Sequence, residues 1–261
     1  MPRIRAARSG SRWRRGDRMR TRPDKKASGP RPQASGLSQA SGLKTGPALR
    51  PEAWALRPVL PRQFYDRPTL LVAADLLGKV LVHRTPRGTA AGMIVETEAY
   101  IGEDDPACHA APGPTARNAP LYGPPGVAYV YLNYGIHYLV NAVTEREGSP
   151  AAVLIRALEP IDGVALMTRR RRDGRADIDG NLCRGPGNLT KALDITLAEN
   201  RLDLTSSRLS IEDRGHTPQR VAWGPRIGIR HGTEHTWRCW IDGHPCVSGP
   251  RARMSRSTRS G

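Results

Sequence analysis

A chain of 261 residues with 41 Lys/Arg against 24 Asp/Glu carries a formal net charge of +17, which points to a polyanionic partner and to one large domain or two small ones. The charge is uneven: residues 1–50 hold 14 Lys/Arg and 2 Asp/Glu, residues 250–261 four Arg and no acid, and residues 51–249 are nearly balanced at 23 against 22. A uniformly basic, histone-like particle is excluded, and no run approaches the ~18 consecutive apolar residues of a transmembrane helix.

The chain opens on a basic stretch, 1–57, expected to be a disordered tail and linker. Ser, Gly and Pro make up 17 of its first 50 residues, and like charges repel one another. Gln33–Ser38 is nearly repeated by Gln39–Lys44. There is no apolar h-region, so no secretory signal is expected, and Met19 is an alternative start. The folded domain is expected over 58–249, with a basic C-terminal tail over 250–261. Thr69 to Leu77 reads as a buried helix with Thr69 as N-cap, stopping at Gly78. Val80–His83 and Met93–Tyr100 read as strands around a Pro86/Gly88 turn. Residues 101–125 form a long loop, a length that in compact domains usually serves a function. Val127–Leu132 and His137–Val143 read as a protruding hairpin, and Ala152–Ala157 as a further strand. Pro160–Arg171 is expected to be helical, as is Leu189–Leu193 after Gly185-Pro186-Gly187-Asn188. Arg226–Ile229, Trp237–Ile241 and Pro245–Ser248 are expected as closing strands, with Asp242-Gly243 as a hairpin turn. The fold class is therefore α+β, a single mixed domain on a mainly antiparallel curved sheet.

Several residues stand out chemically. In Ile94-Val95-Glu96-Thr97-Glu98-Ala99-Tyr100 the alternation of a strand puts Glu96, Glu98 and Tyr100 on one face. Two carboxylates beside an aromatic suit a general base next to an aromatic ligand; a solvated strand face is the plain alternative. The loop supplies His109 after Glu103-Asp104-Asp105. Cys108 and His109 are adjacent and cannot easily converge on one ion, and the zinc-deaminase pattern is absent, so no metal is expected. The cysteines Cys108, Cys183, Cys239 and Cys246 form no CxxC pair and no disulfide scaffold, consistent with a reducing compartment. The hairpin segment 129–141 holds four of the seven tyrosines. Tyr129 and Tyr131 share a face, and Tyr134 sits in the turn beside Gly135. An aromatic at such a tip can wedge into a nucleic-acid stack or fold back on its own hairpin. Arg156, in an otherwise apolar strand, needs a carboxylate partner, with Glu98 and Glu159 as the two candidates. The run Arg169–Arg172 reads as a solvated helix end. Gly185-Pro186-Gly187 could present backbone N–H groups to a phosphate.

Taken together, the words V-E-T-E-A-Y at 95–100, I-G-x-x-D-x-A-x-H at 101–109, P-G-x-x-Y-V-Y-x-x-Y-G at 125–135, L-x-R-A-L-E-P at 154–160, G-P-x-x-L-x-x-A-L at 185–193 and R-I-G-I at 226–229 resemble the alkyladenine (3-methyladenine) DNA glycosylases. Their order and spacing fit from about 64 to 248. The resemblance implies a monofunctional enzyme of base-excision repair, monomeric, acting on double-stranded DNA that contains damaged purines. It implies no cofactor, no metal and no membrane. It implies Glu98 as the group that activates water, with Arg156 holding Glu98 and that water. Tyr100 stacks on one face of the flipped base, His109 and Tyr131 line the other, Asn141 lies at the pocket floor, and Tyr134 fills the gap in the duplex. A cationic ring in an aromatic slot gains cation–π attraction, which favours 3-methyladenine and 7-methylguanine, with hypoxanthine as a further candidate. Only Lys79 and Lys191 lie within 51–249, and neither is at a motif centre, so no Schiff base is expected. The expected location is the nucleoid-associated cytoplasm of a bacterium or the nucleus of a eukaryote. Arg238-Cys239-Trp240 stands where the family often shows Arg-Phe-Tyr, and Ile136 where some members carry Met. Two rival readings are a non-catalytic DNA-damage binding protein with the same pocket and a hydrolase of free nucleosides. The Glu98/Arg156 pair weighs against the first, and the exposed Tyr134 has no task in the second.

Overall fold

The computed structural model describes residues 58–171 and 181–249. The expected tails, 1–57 and 250–261, and most of the charged loop at 172–180 lie outside the described residues. Two short helices open the fold, α1 (Arg62–Tyr65) and α2 (Thr69–Asp75). Each follows a proline, Pro61 and Pro68, whose restricted backbone favours a helix start. Thr69 is the first helical residue and not the N-cap. Its hydroxyl instead donates to Glu145 Oε1 at 2.6 Å and pairs with Thr144 Oγ1 at 3.0 Å, tying the helix to the strand end beyond.

The sheet is built on β1 (Val80–Thr85), β2 (Gly88–Ile101), β3 (Ala128–Asn133), β4 (His137–Val143) and β5 (Ala151–Asp162), with β6 (Leu209–Glu212), β7 (Val221–Gly224) and β8 (Arg238–Ile241) added late in the chain. The order is β3-β4-β5-β2-β1-β6, every pairing is antiparallel, and the sheet is curled. The centre is β2, which pairs β5 along one side. On its other side residues 88–93 pair β1, and Glu96, Thr97 and Glu98 pair β8. Register shifts in the β2–β5 ladder leave Val95 and Arg156 as extra residues. Such bulges bend a strand and re-aim its side chains.

Four expectations are corrected. Residues 160–162 continue β5, and the helix, α3 (Val164–Arg171), begins only after Gly163. Pro160 is tolerated in the strand because it lies beside a register shift. Arg226–Ile229 and Pro245–Ser248 are not strands, and β8 pairs β7 and β2 rather than a segment after Gly243. The reason is local: the backbone N–H groups of Ile227 and Ser248 point at carboxylates instead of a ladder. β6 and β7 are four residues each and too short to show a period.

Helices α2, α3 and α4 (Pro186–Leu193) cover one face of the sheet. Leu76, Ile94, Ile155, Leu158, Met167, Leu189 and Leu193 bury there as the main core. Arg170 donates to Ala192 O at 3.2 Å, near the C-terminal end of α4, where a cation is favoured. On the other face a smaller cluster of Cys108, Ala110, Leu121, Tyr129, Val143 and Ala152 lies under the long loop after β2. No helix among the described residues is long and apolar enough to cross a membrane.

Candidate active site

Strand alternation sorts the residues of the second face into one site. The register aligns Tyr129 of β3, Asn141 of β4, Leu154 of β5, Glu98 of β2 and Arg238 of β8 in a row across five strands. Their neighbours two residues along, Tyr131, Tyr100 and the bulged Arg156, share that face. Over it lies a cavity of about 430 Å³ lined by Tyr100, His109, Tyr131, Tyr134, Asn141 and Arg156, with Ile227 to His231 closing one side. Its volume is in the range of small-molecule pockets. Glu98 lies beneath this lining, fully buried.

Its carboxylate is held on both oxygens. Oε1 faces Arg156 Nη1 at 3.1 Å and accepts the N–H of Ile227 at 2.7 Å; Oε2 accepts the Tyr100 hydroxyl at 2.9 Å. Glu96, also fully buried, accepts Arg156 Nε and Arg238 Nη1, each at 3.0 Å, on Oε1 and the N–H of Ser248 at 2.6 Å on Oε2. Arg156 therefore bridges two glutamates. Burial works against its charge, but Glu98 and Glu96 outweigh this and hold it firmly protonated. Glu159, the other candidate partner, faces His244 instead, at 3.5 Å.

The aromatic lining is neutral. Burial, reinforced by the Glu98 charge and hydrogen bond, pushes the Tyr100 phenol far above its usual range. Burial lifts Tyr131 as well and takes Tyr129 up to about 12. His109 is pushed below the ordinary imidazole value, first by burial and then by Arg117. Its Nδ1 pairs with the Tyr129 hydroxyl at 2.8 Å, and its ring lies 4.4 Å from that of Tyr131. Asn118 Nδ2 donates to His109 O and Gly113 O and so shapes the loop that carries the imidazole. The Asn141 amide donates to Tyr129 O at 2.9 Å, which fixes its orientation at the cavity floor.

At the hairpin tip Tyr134 and Gly135 both have positive φ, 49° and 70°, and Ile136 N–H closes the turn onto Asn133 O at 3.0 Å. This backbone is rare for a bulky side chain and costs on the order of 1 kcal/mol. Tyr134 is not folded back: it is 82% exposed, with Ile136 at 72% beside it. Among the described residues no group of three or more His, Cys, Asp and Glu converges as a metal site would require.

The family model described as methylpurine-DNA glycosylase matches residues 63–245. The chain belongs to the methylpurine-DNA glycosylase family. A protein of Methanocella arvoryzae is 51% identical over 195 residues, covering 73% of this chain and 96% of its own. One of Chlorobium phaeobacteroides is 47% identical over 195 residues, 74% and 96% of the two chains. One of Rhodopseudomonas palustris is 48% identical over 199 residues, 76% and 92%. All three are named as candidate 3-methyladenine DNA glycosylases. The enzyme is thus a DNA glycosylase, a hydrolase of DNA repair.

Parts of this glycosylase site carried no assigned role in the sequence. Glu96 shared the face of Glu98, yet its function as the second carboxylate on Arg156 depends on Arg238 and Ser248, 142 and 152 residues away. The buried pair Asp105–Arg226 was present only as letters in the words at 101–109 and 226–229. The N–H of Ile227 leaves no trace in side-chain chemistry.

Proposed function

We propose that this methylpurine-DNA glycosylase flips alkylated purines, with 3-methyladenine and 7-methylguanine as the principal substrates and hypoxanthine as a further one, out of duplex DNA and hydrolyses their N-glycosidic bond. The observation that carries the reading is a buried carboxylate, Glu98, held by Arg156, Ile227 N–H and Tyr100 directly beneath an aromatic cavity with room for a purine. In this reading Glu98 takes a proton from water, the oxygen bonds to C1′, and the electron pair of the breaking C1′–N bond passes to the base. A cationic base becomes neutral as it leaves, so one general base suffices. Tyr100 stacks on one face of the base and His109 and Tyr131 contact the other, where neutral rings favour a positive purine. A neutral lesion gains no such attraction and depends on the Asn141 amide and backbone groups. Tyr134, in solvent at the tip, fills the space that the flipped nucleotide vacates and offsets the few kcal/mol of lost stacking. The enzyme works as a monomer on the chromosomal DNA of its cell.

The test is single-turnover base release from methylated and hypoxanthine-containing duplexes. Glu98→Gln is expected to lower release by about 10²–10⁴-fold, the usual worth of a general base, while lesion-DNA affinity stays within a few-fold. Normal release by that variant would overturn the assignment. Tight binding without release by the unaltered protein would instead identify a non-catalytic damage binder.

A further inference from the structure

We propose that the buried Asp105–Arg226 pair is the positioning device of this site, setting the Glu98 carboxylate and the Tyr100 ring together. The proposal rests on the reading of Glu98 as general base. Both side chains are fully buried in the pair, and the contact is a two-point fork, Nη1 to Oδ2 at 2.6 Å and Nη2 to Oδ1 at 2.8 Å. Forked Arg–carboxylate pairs fix orientation as well as distance. Neither residue belongs to a helix or strand: Asp105 lies in the loop after β2 and Arg226 in the loop between β7 and β8.

Several other contacts of the pair lead to the site. Arg226 Nη1 donates at 3.0 Å to the carbonyl of Ala99, the residue between Glu98 and Tyr100. The guanidinium lies over the Tyr100 ring at 4.7 Å and over Trp237 at 5.0 Å. The next residue, Ile227, gives its N–H to Glu98 Oε1. Asp105 accepts Ile101 N–H on Oδ2 and Ala107 N–H on Oδ1, and its carbonyl accepts Cys108 N–H, which sets the turn that delivers His109. Arg226 Nη2 also reaches Gly232 O at 3.3 Å. A Cβ on Gly232 would stand 2.8 Å from Arg226 Nη2, and its φ is +66°, so the backbone is drawn against the fork where any side chain would be strained. A pair needed only for stability could be replaced by apolar packing at little or no loss. The fork ties the loop carrying His109 to the loop carrying Ile227, and each of its side chains also holds the strand of Glu98 and Tyr100, at Ile101 N–H and at Ala99 O.

Arg226→Lys keeps the charge and removes the fork, so it separates geometry from electrostatics. Single-turnover excision, corrected for folded fraction, is expected to fall at least tenfold. The acid limb of its pH profile is expected to move to higher pH, because a carboxylate that loses a donor is harder to ionise. The charged and titratable groups around Glu98 are Arg156 from β5, Tyr100 and Glu96 from β2, Tyr131 from β3, Arg238 from β8 and Arg226 itself, and the substitution leaves their charges as they are. Should this variant not fold, Asp105→Asn gives the same readout with a sharper sign. Simple loss of the Asp105 charge would move the limb to lower pH, and loss of positioning moves it up. An unchanged rate and an unmoved limb, or a limb moved down in Asp105→Asn, would overturn the proposal. Glu98→Gln run in parallel distinguishes the two failures. If it retains release, the general-base reading fails; if it abolishes release while the pair variants are unaffected, only the positioning role fails.

Discussion

His109 shows how a single residue ties the cavity to pH. Burial and Arg117 hold its pKa below the ordinary value of 6.5. The folded protein therefore binds a proton there later than the unfolded chain does. Stability contributed by the neutral ring is present above pH 6.5 and is lost as pH falls from there toward the folded value. Between pH 7.5 and 5.5 the urea midpoint of the unaltered protein is expected to fall further than that of His109→Gln, whose amide does not titrate; equal falls would contradict this. Protonation would also set a cation against an alkylated base. At this scale much of the site was legible in the sequence. Glu98, Tyr100, His109, Tyr131, Tyr134, Asn141 and Arg156 sit in dense motifs, and the structure gathers them around one cavity or directly beneath it. What was not legible lies in backbone donors and in partners more than 100 residues away.

Among the elements, β2 matters most. Its fork between β1 and β8 and its bulge at Val95 turn two glutamates toward one arginine. The bulge on β5 leaves Arg156 without a cross-strand mate and swings it between them. Alternation predicted the shared face of Glu96 and Glu98 but could not show a bulge, which is a property of two strands together. The same limit explains the misplaced strands at 226–229 and 245–248, whose N–H groups serve carboxylates. Glu96→Ala would take from the buried Arg156 and the half-buried Arg238 the carboxylate they share. Removing one member of a buried pair typically costs about 3–5 kcal/mol, so a loss of that size is expected in chemical denaturation. A loss below about 1 kcal/mol would show that the two arginines find other acceptors.

Across the whole molecule, charge and chemistry are carried by different segments. Residues 51–249 are nearly neutral, whereas residues 1–50 hold 14 Lys/Arg against 2 Asp/Glu. Salt sensitivity of DNA binding grows with the number of phosphates neutralised. Deleting residues 1–50 is expected to flatten the salt dependence of binding while excision at low salt persists; lost excision at low salt would assign the segment to the site. The long reach of the site has a further consequence, in time rather than in space. Glu98 and Glu96 meet Ile227, Arg238 and Ser248 across 129, 142 and 152 residues. Contacts of such separation form late and slowly. On the ribosome the early strands are made while both carboxylates still lack their C-terminal partners, so with Glu98 in its proposed role the nascent chain is expected to stay inert until Ile227, Arg238 and Ser248 have emerged.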